Sequence, residues 1–159
     1  MKALIVYDSV FGNTEQVAQA IGEALGLPEQ VETLRVNQAA PTRLAGATLL
    51  IVGSPTRGFR PTEAVMKFLD AIPQYGLIGT RVAAFDTRIS ARDIDNRLLN
   101  LLVRLFGYAA QPIANKLVKK GGTLVTPPEG FYVKGSEGPL KDGERDRALE
   151  WARTIAQAL

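Results

Sequence analysis

The chain has 159 residues, a length for one domain that buries roughly two thirds of its unfolded surface. It is 46% hydrophobic and 22% charged, with 19 Lys plus Arg against 16 Asp plus Glu, an imbalance too small and too scattered to argue for nucleic acid. Cysteine and histidine are both absent. That excludes disulfides, thiolate nucleophiles, Ser-His-Asp triads and metal centres built on Cys or His, and leaves acid–base work to carboxylates, Lys or Tyr.

The first element is an apolar run at 2–7, read as a buried strand that ends abruptly at Asp8. A short loop of Ser9, Val10, Phe11, Gly12, Asn13 and Thr14 follows, and then a helical pattern over 14–26, with Val17, Ile21 and Leu25 four residues apart. Strand, tight turn and helix make the first half of a βαβ unit. Such a turn leaves unpaired N–H groups at a helix N-terminus, where the dipole also favours an anion. Two readings fit this loop: a phosphate site, or a helix that Asn13 and Thr14 only cap.

Further strands are expected at 31–36, 47–53, 81–86 and 123–126, and further helices at 62–72, 94–106, 112–120 and 143–158. The runs at 47–53 and 81–86 are almost wholly apolar, as central strands covered on both faces are. Glu32 and Arg35 put the 31–36 strand at an edge. Ile94, Leu98, Leu101, Leu102 and Leu105 form one apolar stripe at helical spacing, expected to face the core. Lys116, Lys119 and Lys120 close a helix, where cations complement the dipole. The one long irregular stretch, 127–142, is of a length that is functional or hides a short hairpin, with Phe131-Tyr132-Val133 as a piece of strand.

Five strands alternating with helices specify an α/β fold: a doubly wound five-stranded parallel sheet of order 2-1-3-4-5, one domain over 1–159. Ligands of such sheets sit beyond the carboxyl ends of the strands, where the strand order reverses. Three loops would meet there: 8–13, 54–61 and 87–93. The second, Ser54-Pro55-Thr56-Arg57-Gly58-Phe59-Arg60-Pro61, has two prolines and a glycine that fix an unusual backbone path. The third carries Thr87, Arg88, Ile89 and Ser90. A receiver domain of the same topology would need a phosphorylatable Asp after the third strand and a Lys after the fifth. The ends here read Val52-Gly53-Ser54 and Val125-Thr126.

The loop Ser9-x-Phe11-Gly12-Asn13-Thr14 is similar to the Ser/Thr-x-Thr-Gly-Asn-Thr phosphate motif of the flavodoxin family, and Pro55-Thr56-Arg57-Gly58 resembles the loop that passes beside the flavin ring. The resemblance spans nearly the whole chain. It implies noncovalent FMN, with side-chain donors from Ser9, Asn13 and Thr14 and backbone N–H groups of residues 10–14 around the phosphate. Gly58 matches the glycine whose peptide turns toward flavin N5. Thr87 and Arg88 lie in the loop that holds the pyrimidine side. Phe11 stands where the motif has threonine. Arg57 and Thr87-Arg88 stand where the well-studied carriers stack an aromatic or Met on one face and Tyr on the other, leaving Phe59 or a guanidinium to stack.

The resemblance implies an electron carrier for a redox partner protein or a quinone. The alternatives are an FMN-dependent NAD(P)H:quinone or porphyrinogen oxidoreductase, or a flavin-free binding module. Arg57, Arg60, Arg88 and Arg92 are expected to rim the ring end of the pocket. The N-terminal apolar run is too short for a signal peptide, and no segment approaches the about 20 apolar residues of a membrane span. A cytoplasmic protein without metal is the expectation.

Overall fold

The computed structural model describes residues 1–159. The chain runs β1 (Ala3–Tyr7), α1 (Asn13–Leu25), β2 (Val31–Arg35), β3 (Leu49–Pro55), α2 (Glu63–Ala71), β4 (Arg81–Ile89), α3 (Arg97–Phe106), α4 (Ala110–Lys119), β5 (Thr123–Leu124), β6 (Glu129–Val133) and α5 (Glu144–Gln157). All strand pairings are parallel, in the order β2-β1-β3-β4-β5, with β6 also on β4. The expected order 2-1-3-4-5 is therefore present, and β1 and β3 lie inside the sheet.

Alternation along the strands divides the core into two layers. Ala3, Ile5, Tyr7, Leu49, Ile51 and Phe85 face α1 and α5, where Phe85, Phe131 and Trp151 meet edge to face with centroids 6.0–6.2 Å apart. Leu4, Val6, Leu50, Val52, Val82 and Ala84 face α2 and α4. Strand β2 is the edge: beyond Val31 its residues are only half-buried. The lysines at the end of α4 serve the fold, since Lys116 pairs with Asp70 and Lys120 donates to the carbonyls of Asp70 and Ile72.

Strand β3 runs to Pro55, so Ser54 and Pro55 belong to it and not to the loop that follows, and α4 begins two residues earlier than expected. Three further differences are larger. The fifth strand is interrupted: it pairs with β4 at Thr123 and Leu124, leaves the sheet, and resumes as β6 beside Phe85–Ile89. Pro127 and Pro128 explain the break, because neither has an N–H for the ladder. The expected strand piece at 131–133 is thus a continuation of the fifth position. Given this second partner, β4 runs on to Ile89, so Thr87 and Arg88 belong to a strand and not to a loop.

The third difference is α3. Asn96 caps it, its Oδ1 accepting from the Leu99 N–H at 3.0 Å, so it starts three residues later than expected. Its apolar stripe does not face the core. Leu98, Leu101 and Leu105 are 66%, 52% and 67% exposed, and only Val103 is buried. Neither core layer contains a residue of α3. Four helices cover the sheet, and the fifth lies outside.

Candidate functional site

At the carboxyl end of the sheet a cleft of about 370 Å³ opens. Its first wall is the loop after β1. Gly12 sits there at φ 90°, a left-handed conformation that a side chain disfavours. This bend turns the chain into α1 without a cap from Gly12. Ser9 serves in its place: its Oγ accepts from the N–H groups of Gly12 (3.0 Å) and Glu15 (3.4 Å). The N–H groups of Val10, Phe11, Asn13 and Thr14 find no acceptor in the chain. The buried residues of this loop are Ser9, Asn13 and Thr14, while Phe11 is about half-exposed at the mouth with the Arg57 guanidinium 5.7 Å above its ring.

The loop is braced from outside. The Arg35 guanidinium donates to the Ser9 carbonyl (2.9 Å) and to Glu15 (3.3 Å), and the Tyr7 hydroxyl donates to Glu15 at 2.9 Å. Burial, with the neighbouring Glu15 carboxylate, holds the Tyr7 hydroxyl above its ordinary pKa. The acceptor-free amides therefore belong to a loop braced by side-chain hydrogen bonds.

The second wall follows β3. Arg57 and Arg60 bond each other's backbone in both directions, at 2.8 and 3.1 Å, around Gly58 (φ 54°) and Phe59 (φ 67°). Two consecutive positive φ values make this a type I′ turn. Thr56 fixes it to both neighbours, through its N–H to Thr87 O (2.9 Å) and its Oγ1 from the Ala109 N–H (3.0 Å).

The third wall is the end of β4. Thr87 points toward α1, its hydroxyl 2.8 Å from that of Thr14. Arg88 points the other way and grips Asp86 with two bonds, of 2.5 and 2.7 Å, while stacking 3.9 Å from the Tyr108 ring centroid. Asp86 is fully buried and also accepts from the Ala110 N–H at 2.7 Å. Burial pushes its carboxyl above the ordinary aspartate range, against the pull of Arg88 and that amide. Gly130 makes room for the pair: a Cβ there would lie 2.2 Å from the guanidinium.

The fourth wall comes from the 127–142 stretch. Val133 and Leu140 form an antiparallel bridge, so residues 134–139 return as a small hairpin. Asn13 donates through Nδ2 to the Glu137 carbonyl at 3.1 Å and packs so closely under Gly138 that a Cβ there would lie 2.5 Å from its amide. At the hairpin base the Tyr132 N–H donates to Glu144, whose carboxyl is pushed up by burial but held below its ordinary value by Arg147 and that N–H.

Of the residues singled out in the sequence, Ser9, Val10, Phe11, Asn13, Thr14, Pro55, Thr56, Arg57, Gly58, Thr87 and Arg88 line this one cleft. Gly12 and Phe59 do not line it. Gly12 shapes the turn, with its N–H spent on Ser9, and Phe59 packs on Phe106 at 5.9 Å. The expected rim of four arginines is reduced as well. Arg88 is neutralised by Asp86, Arg60 and Arg92 line no part of the cleft, and Arg57 alone remains as its unpaired cation. Ile89, expected there as part of the third loop, lines the cleft too, and Val133, Ser136 and Glu137 line it without being expected as site residues. The length of the irregular 127–142 stretch is the one sequence signal for these three.

A reversing strand order with free amides at the first βα turn defines a doubly wound mononucleotide-binding domain. The family model described as flavodoxin matches residues 5–151. A flavodoxin of Clostridium saccharobutylicum is 30% identical over 98% of this chain and 96% of its own length. An archaeal flavodoxin structure is 25% identical, with a TM-score of 0.73 over 99% of this chain and 97% of that one. Flavodoxin 2 of Bacillus cereus covers 100% of both chains at TM-score 0.79 and 23% identity. The chain belongs to the flavodoxin family, and with that membership it is an FMN-binding electron-transfer protein. The enzyme and flavin-free alternatives are not favoured.

Proposed function

We propose that the cleft holds FMN with its phosphate against the N–H groups of Val10, Phe11, Asn13 and Thr14 and its ring between the 56–59 turn and the end of β4. The observation that carries this reading is the set of acceptor-free amides at the start of a thirteen-residue helix, in the wall of a cleft of ligand size. No cationic side chain is needed there, because helix dipole and amides together bind an anion. Ser9 Oγ accepts two N–H bonds and keeps its own proton to donate, and the Thr14–Thr87 pair retains one hydroxyl proton for the ligand.

Bound FMN supplies one- and two-electron transfer. The chain's part is to seat it, to exclude water with Phe11 and the hairpin, and to set the local charge through Arg57. Its partners, in this reading, are a redox protein or a quinone met in the cytoplasm. No helix of the chain is long and apolar enough to cross a membrane. The test is calorimetric titration of FMN against riboflavin. FMN binding at least about a hundredfold tighter, or about 2.7 kcal/mol, is the expected result; equal affinities would remove the phosphate site.

A further inference from the structure

The stripe that the core leaves uncovered sits beside the cleft. Leu98, Leu101 and Leu105 recur at helical spacing on α3, each more than half exposed, and Phe106, 64% exposed, extends them. Phe106 packs on Phe59 of the 57–60 turn, and that turn borders the cleft mouth, where Val10 and Phe11 are half-exposed. The cations around it are equally distinctive. Arg57 and Arg60 flank Phe59, Arg92 lies in the turn before α3, and Arg97 and Arg104 line a shallow groove with Leu101. The ion pairs of the molecule use other residues, so all five guanidinium groups are free of carboxylate partners. Of the nearby acids, Asp93 is held by Lys141, while Asp95 and, at the cleft mouth, Glu137 are unpaired.

We propose that α3 and the 57–60 turn dock this protein on an anionic lipid surface, with the leucines entering the headgroup–acyl boundary and the arginines meeting lipid phosphates. A short helix with an apolar stripe and flanking arginines is built to lie in that interface, its long cationic side chains reaching back to the headgroups. A second copy of the chain is the weaker occupant: Arg97 and Arg104 lie along the same flank of the stripe, and self-pairing would crowd the free arginines of two copies on one interface. Docking in this orientation sets the cleft mouth at the bilayer surface. The variants that test it lie on α3, no residue of which lines the cleft, so its outcome is separable from that of FMN binding.

The experiment is co-sedimentation of the protein, with and without FMN, on vesicles of phosphatidylcholine alone or mixed with phosphatidylglycerol. Binding is expected on the mixed vesicles only, weakening as salt rises. The triple variant L98S/L101S/L105S and the pair R97E/R104E should each lose about tenfold or more in partition, a change of about 1.4 kcal/mol per decade. All five side chains are exposed, and near-wild-type circular dichroism and cleft behaviour would show both variants folded. No binding to mixed vesicles overturns the proposal, and so does equal binding to neutral ones. A concentration-dependent dimer in sedimentation velocity, abolished by L98S/L101S/L105S, would overturn it in favour of a second copy. Saturable binding of the wild type to an acidic polypeptide, with none to vesicles, would overturn it in favour of a protein partner.

Discussion

The hydroxyls of Thr14 and Thr87 meet at 2.8 Å across 73 residues of sequence, joining the loop after β1 to the central strand that forms the opposite wall. Both side chains are almost fully buried. Each holds the other in a rotamer that presents one proton to the cleft, so the two act as a unit. Thr14→Val and Thr87→Val are each expected to weaken FMN by about 1–2 kcal/mol. The double variant should lose clearly less than the sum. Titration calorimetry on the four proteins gives the coupling, and strict additivity would show that the pair is only a packing contact.

Gly58 separates backbone strain from crowding. Its φ is 54°, yet a Cβ there would meet nothing within 4 Å. Gly58→Ala is therefore expected to destabilise the fold by about 1 kcal/mol through the left-handed backbone alone. Urea denaturation measures this, and an unchanged midpoint would mean that the turn adopts another conformation. Phe59, itself at φ 67°, already carries that cost, so the turn has little tolerance for a second strained residue.

Arg88→Leu leaves Asp86 buried without its partner. The loss at neutral pH should be about 3–5 kcal/mol, because an uncompensated charge remains inside. Asp86 has a folded pKa above its ordinary 3.8. A raised acid keeps its proton longer in the native state, so its contribution to stability falls as pH rises from the ordinary value through the folded one. Without Arg88 the folded value climbs further. The deficit should then be small below the ordinary aspartate value and grow toward neutrality. A deficit equal at all pH values in a denaturation series would show that lost packing on Tyr108, not charge, dominates.

Arg57 is the one free cation of the cleft, and it lies over Phe11 at the mouth. A flavin that accepts electrons gains negative charge, which a nearby cation favours. Arg57→Glu should lower the midpoint potential of bound FMN in a spectroelectrochemical titration, an effect that shrinks with salt over the about 8–10 Å screening length. Arg60→Glu, outside the cleft, should leave it nearly unmoved. Equal shifts in both variants would assign the effect to overall charge.

What could be read in the sequence was read where one local rule had no competitor. Residues 3–14 give strand, loop and helix in twelve positions, and the apolar runs around Ile51 and Ala84 place two strands inside the sheet. Arg88 is legible as a site residue, but its pairing with Asp86, two residues away on the same strand face, is visible only once β4 is known to reach Ile89. That extension depends on β6, whose link to β5 was hidden by Pro127 and Pro128. The leucines of α3 show a different gap: periodicity reports that one face of a helix is apolar, not what covers it. The family motif makes Asn13 a ligand donor, and nothing in the sequence tells that its amide also fastens the 134–139 hairpin, at a carbonyl 124 residues away.

The position of α3 outside both core layers has one more consequence. Apart from the buried Val103, its residues can change in sequence without opening either core layer or disturbing the amides around residue 12. Selection can therefore recast the outer face of this helix while leaving the cleft intact.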